Sequence, residues 1–429
     1  MASTNELYDR VKVQLKMRLV DWLDTVPNGH KGQVPRQTVE QTLRQSLRAV
    51  TEELRLPALP AADQDRLIQE TISDVLGYDL LDELLADPTV SEVMINGPQD
   101  IFVERDGRIE PVPSRFRDAN HLMSVVERML SRVNLSVSES SPVCDGSLPD
   151  GSRINVIIPP LALNGPVVTI RRAGREWSMD DFIARNVLSR EAAEFLQGCV
   201  KAKVNLVISG GSSVGKTTLA AILCQSIPAH ERVITIENVA ELQLRGLPHW
   251  VRLVGKAPNL DGRGEIPLRV LVKNALRMRP DRIILGEARG SEALDVVQAM
   301  HSGHDGFLTV LHANSPSAAL ERLEMLMLMS GLDLPPLACR MQIASAVDLV
   351  VHVGRFVDGS RRISSISQVL GSSQEGFQME DVFVFDAQGF TPEGRLQGTC
   401  RYTGAAPTYL SKFQLNNVPL PAWLTSARA

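Results

Sequence analysis

The chain has 429 residues, which at roughly 150 residues per domain predicts two or three domains. Hydrophobic residues make up 44% and charged residues 22%, enough to bury several cores, while 45 Lys and Arg against 50 Asp and Glu leave a formal net charge of −5. That mild acidity and an aromatic content of 4% speak against a basic nucleic-acid coat and against a base-stacking platform.

Residues 1–80 read as a helical bundle or docking segment. Val39, Leu43, Leu47, Val50 and Leu54 recur at helical spacing along one face. Pro57 and Pro60 break that helix, and a second starts near Asp63. Over 81–172 the pattern turns α+β. VSEVMIN (90–96) and DIFVERDGRIEPV (100–112) predict short strands, with Asp106-Gly107 as a hairpin turn. Leu122, Val125, Val126, Met129, Leu130 and Val133 mark an amphipathic helix, and RINVIIPP and PVVTIRR predict two more strands around a turn at Asn164-Gly165. A polar linker is expected over 173–182. From 183 to 429 strands and helices alternate, predicting an α/β domain. Val204–Ser209, VITIE, RIILG and FLTVLH are apolar and β-branched enough to be buried parallel strands. Beyond about 360 the chain predicts a hairpin extension (DVFVFDAQGF) and an irregular tail.

Five cysteines (Cys144, Cys199, Cys224, Cys339, Cys400) stand far apart without a CxxC pair, so the expectation is reduced, buried thiols. No apolar run reaches the roughly 18 residues of a membrane span. The N-terminus is charged throughout and has no signal-peptide core. These features predict a cytoplasmic protein whose membrane contact comes through partners.

The chemistry concentrates at strand ends. Gly210-Gly211-Ser212-Ser213-Val214-Gly215-Lys216-Thr217, followed by Thr218, fits GxxxxGK[ST] between a predicted strand and a predicted helix. Glycines let backbone N–H groups curl around phosphate oxygens, and a helix N-terminus adds partial positive charge. Lys216 then suits the β- and γ-phosphates, and Thr217 suits Mg²⁺. A second strand ends in Gly286-Glu287, with Glu287 the acid available to the Mg²⁺ shell. A third ends in Glu237-Asn238, and a fourth, preceded by Gly303-His304, ends in His312. Glu237 is assigned as the base that activates water. Four strand ends carrying Lys216, Glu237, Glu287 and His312 predict one crevice at the carboxyl edge of an open α/β sheet. Arg277, Arg279 and Arg282 form a basic stretch expected to pair with acids across a subunit boundary, the alternative being a phosphate- or lipid-facing role.

From DPTVSEVMINGPQDIFVERDGRIE, LPDGSRINVIIPP, GPVVTIRR, the P-loop, VITIENVAELQL, the stretch from Leu271 to Ser315 and AVDLVVHVGR, the chain resembles the CpaF/TadA tight-adherence branch of the type II/IV secretion ATPases. The resemblance implies a RecA-like P-loop motor domain behind a PAS-like domain. It also implies a hexameric homo-oligomer that hydrolyses Mg-ATP. Its place would be peripheral, on pilus platform proteins at the cytoplasmic face of a bacterial inner membrane, with no specific nucleic acid. It further implies roles for Glu237 in an acidic box, Glu287 as the Walker B acid, and His304 and His312 in a His box. Arg153 and Arg171 correspond to arginines brought onto the γ-phosphate, and if the turn at Asn164-Gly165 makes their two strands a hairpin they fall at one end of it. Four positions depart from the family pattern: Ser213-Val214 replaces Gly-Ser, Asn238 replaces Asp, and Ser147 stands where Arg is common. The rival readings are a type IV secretion or DNA-transfer ring ATPase, a helicase or recombination ATPase on the same core, and an ATP-binding scaffold with weak hydrolysis.

Overall fold

The computed structural model describes residues 4–26, 36–54, 56, 60–105, 108–133, 135–172, 177–244, 246–256 and 263–426. The chain divides into two compact units, Met1–Gly174 and Arg175–Ala429.

The first unit opens with helices α1 (Thr4–Thr25), α2 (Arg36–Glu53) and α3 (Ala61–Leu76). Val11, Leu15 and Leu19 of α1 pack on Val39, Leu43, Leu47 and Val50 of α2 and on Leu67, Ile68 and Ile72 of α3. The helical period read from α2 therefore places its apolar stripe inside a three-helix core. Pro60 stands immediately before α3, and Pro57 lies outside the described residues.

The same unit continues with α4 (Leu80–Ala86), β1 (Val90–Asn96), β2 (Ile101–Arg105), β3 (Arg108–Pro111), α5 (Ala119–Ser131), β4 (Val143–Ser147), β5 (Arg153–Ile157) and β6 (Val167–Arg171). The strands form one antiparallel sheet in the order β3-β2-β1-β6-β5-β4. Alternation decides its faces. Val93, Ile95, Ile154, Val156, Val168 and Ile170 point into a core closed by Leu122, Val125, Val126 and Met129 of α5. Asp118 caps α5 by accepting from the His121 N–H. The Asp106-Gly107 turn lies outside the described residues, although β2 and β3 pair as a hairpin around it. β4, with Gly and Asp inside it, is a strand that propensity does not predict.

The second unit runs α6 (Met179–Ala184), α7 (Arg190–Lys201), β7 (Leu206–Gly210), α8 (Lys216–Cys224), β8 (Val233–Glu237), β9 (Trp250–Val254), α9 (Leu268–Ala275), β10 (Arg282–Leu285), α10 (Glu292–His301), β11 (Leu308–His312), α11 (Pro316–Leu328), α12 (Pro336–Ala346) and β12 (Leu349–Arg355). It ends with β13 (Arg361–Ser372), β14 (Phe377–Phe390), β15 (Leu396–Tyr402), α13 (Leu410–Leu415) and α14 (Ala422–Ser426). Of the linker expected over 173–182, residues 173–176 lie outside the described residues, while 179–182 belong to α6, started by a capping box at Ser178.

The sheet order is β15-β14-β13-β12-β7-β11-β10-β8-β9. β12, β7, β11, β10, β8 and β9 run parallel, and β13 to β15 continue antiparallel from β12. Both faces are covered. Leu206 and Ile208 join the core under α7 and α8, whereas Val207 joins the opposite core under α10 to α12. The tail expected to be irregular instead holds α13 and α14. Trp423 of α14 packs edge-on to Phe195, Phe383 and Tyr402, and Lys412 of α13 pairs with Asp305 and Asp348. No helix among the described residues is long and apolar enough to cross a membrane. The five cysteines are free and buried.

Candidate active site

β7 delivers the chain into the glycine-rich loop, and α8 receives it. Gly210 has φ 152°, and a Cβ there would lie 2.3 Å from the Val353 carbonyl oxygen and 2.9 Å from Val214 Cγ2. The loop therefore leaves the sheet in direct backbone contact with β12, which only glycine permits. Ser213 takes a left-handed φ of 57°, where glycine would be cheaper. Val214 is 5% exposed and points down into the core, so its branched side chain serves as an anchor for the loop. Ser212 and Ser213 stay exposed, and Gly211 and Gly215 are half-buried. Lys216, Thr217 and Thr218 form the first turn of α8, whose free N–H groups suit an anion.

Parallel pairing brings the next groups alongside. His312 ends β11 in register with Gly210, and Ala288, just past the tip of β10, donates its N–H to the Val310 carbonyl. Lys216 Nζ donates to the Gly211 carbonyl at 2.5 Å and lies 3.4 Å from His312 Nδ1. His312 Nε2 lies 3.2 Å from Glu287 Oε1, and Arg289 donates to Glu287 Oε2 at 2.7 Å. An ammonium offers only donors, so Nδ1 is the accepting nitrogen and Nε2–H donates to the carboxylate. Burial, then the Lys216 charge, lowers His312 below the ordinary imidazole range, with Glu287 opposing; the ring is neutral at pH 7. Burial likewise lowers Lys216, opposed by Glu287 and Glu241.

Glu237 sits on the far side of Glu287, at the tip of β8. It is 3% exposed, and its Oε1 accepts from the N–H groups of Glu241 at 3.0 Å and Leu242 at 2.9 Å. Burial raises its carboxyl above the ordinary range, while those two N–H bonds pull the other way. A Cβ at Gly286 would meet Glu237 Cγ at 2.8 Å. Position 286 is glycine because Glu237 occupies the volume a side chain would need. Asn238 is exposed beside this carboxylate.

The structure thus brings Lys216, Thr217, Glu287 and His312 to one edge, with Glu237 on the adjacent strand tip. It does not bring His304 there. His304 precedes β11, at the amino edge of the sheet, bonded to Ser302 Oγ and lining a polar cavity with Lys203, Asp281, Asp305 and Lys412. Seven residues, the last four of them in β11, separate it from His312, and at about 3.3 Å per strand residue the two imidazoles serve opposite edges. Arg153 and Arg171 lie in the first unit, directly paired in register at one end of the β5–β6 hairpin, and Arg153 meets Asp145 at 3.3 Å. Arg282 corrects its expectation. It is fully buried and pairs with Glu231 of its own chain, whereas Arg277 and Arg279 are exposed.

Sequence reasoning missed Arg289, whose position two residues past a strand-tip acid is the signal for a carboxylate partner. It also missed that Glu237 is held by backbone N–H groups. Among the described residues no cluster of three or more His, Cys, Asp or Glu side chains could hold a metal alone. The hard oxygens of Thr217 and Glu287 fit a Mg²⁺ that shares its remaining ligands with phosphates.

The family described as "Type II/IV secretion system protein" matches residues 76–388. The conjugal transfer protein TrbB of Rhizobium radiobacter is 32% identical over 320 residues, covering 73% of this chain and 94% of TrbB. The type IV secretion system protein VirB11 of Brucella suis is 33% identical over 311 residues, 66% of this chain and 86% of VirB11. The X-ray structure of the Legionella pneumophila ATPase DotB shares the fold, with a TM-score of 0.51 at 19% identity over 70% of this chain and 82% of DotB.

Proposed function

Because this chain belongs to the type II/IV secretion system protein family, a family of ATPases, we propose that it is a Mg-ATP-hydrolysing hexameric motor of the tight-adherence branch. In this reading it powers pilus assembly from the cytoplasmic face of a bacterial inner membrane. Residues 183–429 are its RecA-like motor, 81–172 a PAS-like domain, and 1–80 a docking segment for platform proteins. The observation that carries the reading is the line Lys216–His312–Glu287–Arg289 across adjacent strand tips beside a phosphate loop.

The loop N–H groups and the start of α8 bind the β- and γ-phosphates, and Lys216 exchanges its Gly211 contact for phosphate oxygen. Thr217 and Glu287 would hold a Mg²⁺ ion, which would supply charge neutralisation at the phosphoryl group. Glu237 orients the attacking water. His312, neutral, keeps the lysine and the carboxylate in line without adding charge. Arg153 and Arg171 reach the γ-phosphate as a guanidinium pair and couple its loss to domain motion.

Steady-state hydrolysis by the full chain tests the reading. ATP turnover that survives Lys216→Ala, or that requires single-stranded DNA, overturns it. A second reading, a type IV secretion or conjugation motor, is favoured by the names of TrbB and VirB11. Deleting the gene and scoring surface pili against substrate or DNA transfer separates the two.

A further inference from the structure

Ser209 is the last residue before the loop glycine at 210, and it is fully buried. In register it lies between Leu311 of β11 and His352 of β12. Its Oγ stands 2.8 Å from His352 Nδ1, and His352 is itself 8% exposed. Both groups are closed off from solvent, so the pair is no nucleophile and base for a bound molecule. A buried hydroxyl of this kind is costly to leave without a partner.

The backbone of His352 is also fixed from its other side. β12 and β13 slip register between His352 and Val353: His352 faces Ser365, Val353 faces Ile363, and Ser364 is the extra residue of a bulge. Ser364 Oγ donates to the His352 carbonyl at 3.2 Å. Bulges bend a strand locally and re-aim what it carries. The next carbonyl along β12, that of Val353, is the atom that a Cβ on Gly210 would strike. Residues 352 and 353 therefore meet the take-off of the phosphate loop twice, once by side chain and once by backbone.

We propose that His352 is a positioning residue for the phosphate loop: through Ser209, and backed by the bulge at Ser364, it sets the height at which Gly210 leaves the sheet and hence where the loop N–H groups point. The bulge in turn joins the strand that carries His352 to β13, the first strand of the antiparallel extension. The inference rests on the reading of this loop as the ATP site. His352 touches no substrate, so its removal weakens the ground-state grip on phosphate more than the chemical step.

Steady-state ATPase assays of the full chain with His352→Ala, Ser209→Ala, the double variant and His352→Asn test it. Asn can place an amide atom near the position of Nδ1. Each alanine variant is expected to raise KM for ATP roughly three- to tenfold, the scale of one lost buried hydrogen bond, with kcat changed less than about twofold. The double variant should be no worse than the worse single, and Asn should restore KM to within about twofold. Additive effects, an unmoved KM in Ser209→Ala, or a kcat defect with normal KM would overturn the proposal. If His352→Ala fails to fold, Ser209→Ala and His352→Asn carry the same test. Hydrolysis that does not depend on Lys216 sinks the reading of the site itself, whereas Lys216-dependent hydrolysis with unmoved KM in these variants sinks only the positioning role.

Discussion

Lys216 and His312 can share a contact only while the imidazole keeps a lone pair on Nδ1. Protonating His312 sets a second cation against the lysine. Turnover should therefore fall on the acid side with an apparent pKa below the ordinary imidazole value, in the direction set by burial and Lys216. A pH profile of kcat/KM checks this: the acid limb should move in His312→Gln and stay put in His304→Ala, which alters the opposite edge of the sheet. Glu237 makes a separate prediction. Burial raises its folded-state pKa, so the folded chain holds that proton more tightly than the unfolded chain. The stability it adds is present below the unfolded pKa and is lost as pH rises through the folded one. Glu237→Gln keeps an oxygen for the Glu241 and Leu242 N–H groups and removes the charge. It should raise the melting temperature at neutral pH by roughly 2–4 °C, the effect of about 1 kcal/mol on a domain of this size, with the gain shrinking towards acid pH. The same variant should bind Mg-ATP and fail to hydrolyse it, whereas Glu287→Gln should lose metal-dependent binding. The opposite pattern in nucleotide titrations would exchange the two roles.

Strand tips only a few ångströms apart make some glycines obligatory. Gly286→Ala should cost about 1–3 kcal/mol as an overpacking change, measured by chemical denaturation, because its methyl displaces Glu237 from its N–H donors. Shortening the obstacle with Glu237→Ala should recover most of that stability but no activity. This constraint was not legible in the sequence, where Gly286 reads only as the residue before the strand-tip acid Glu287. β7, β8, β10 and β11 were legible, since buried parallel strands are continuous apolar, β-branched runs. β9 was not, because it is an edge strand with half-exposed residues and Arg252 inside it. The loop, the two strand-tip acids and His312 could be read from spacing. His304 was misplaced because motif proximity ignores which end of a strand a residue occupies. Arg282 was misread because a basic cluster gives no sign that one member is buried against Glu231. Gly306 leaves room for that arginine, since a Cβ there would collide with its guanidinium. Glu231→Ala should cost about 3–5 kcal/mol, as for any buried charge left alone.

On the scale of the whole molecule, the testable question is whether the two units exchange force through phosphate. Arg153→Ala or Arg171→Ala should leave ADP affinity nearly unchanged, weaken the preference for ATP and cut turnover by roughly one to several orders of magnitude. Fluorescent ADP and non-hydrolysable ATP titrations beside turnover decide it, and near-normal turnover in both variants removes the pair from the mechanism. The cysteines give such experiments a silent background. Burial raises all five thiols, Cys224 and Cys400 to about 12, so the folded chain offers almost no thiolate at neutral pH. A single cysteine engineered on each unit would then accept a donor or acceptor dye without first stripping the native ones. The native thiols become a clock for opening in turn: Cys144 lies in the first unit and the other four in the second. An aromatic disulfide reagent should release almost no colour from the folded chain and five equivalents in denaturant. With nucleotide present, a slower release of four equivalents and an unchanged release of one would show which unit the ligand tightens.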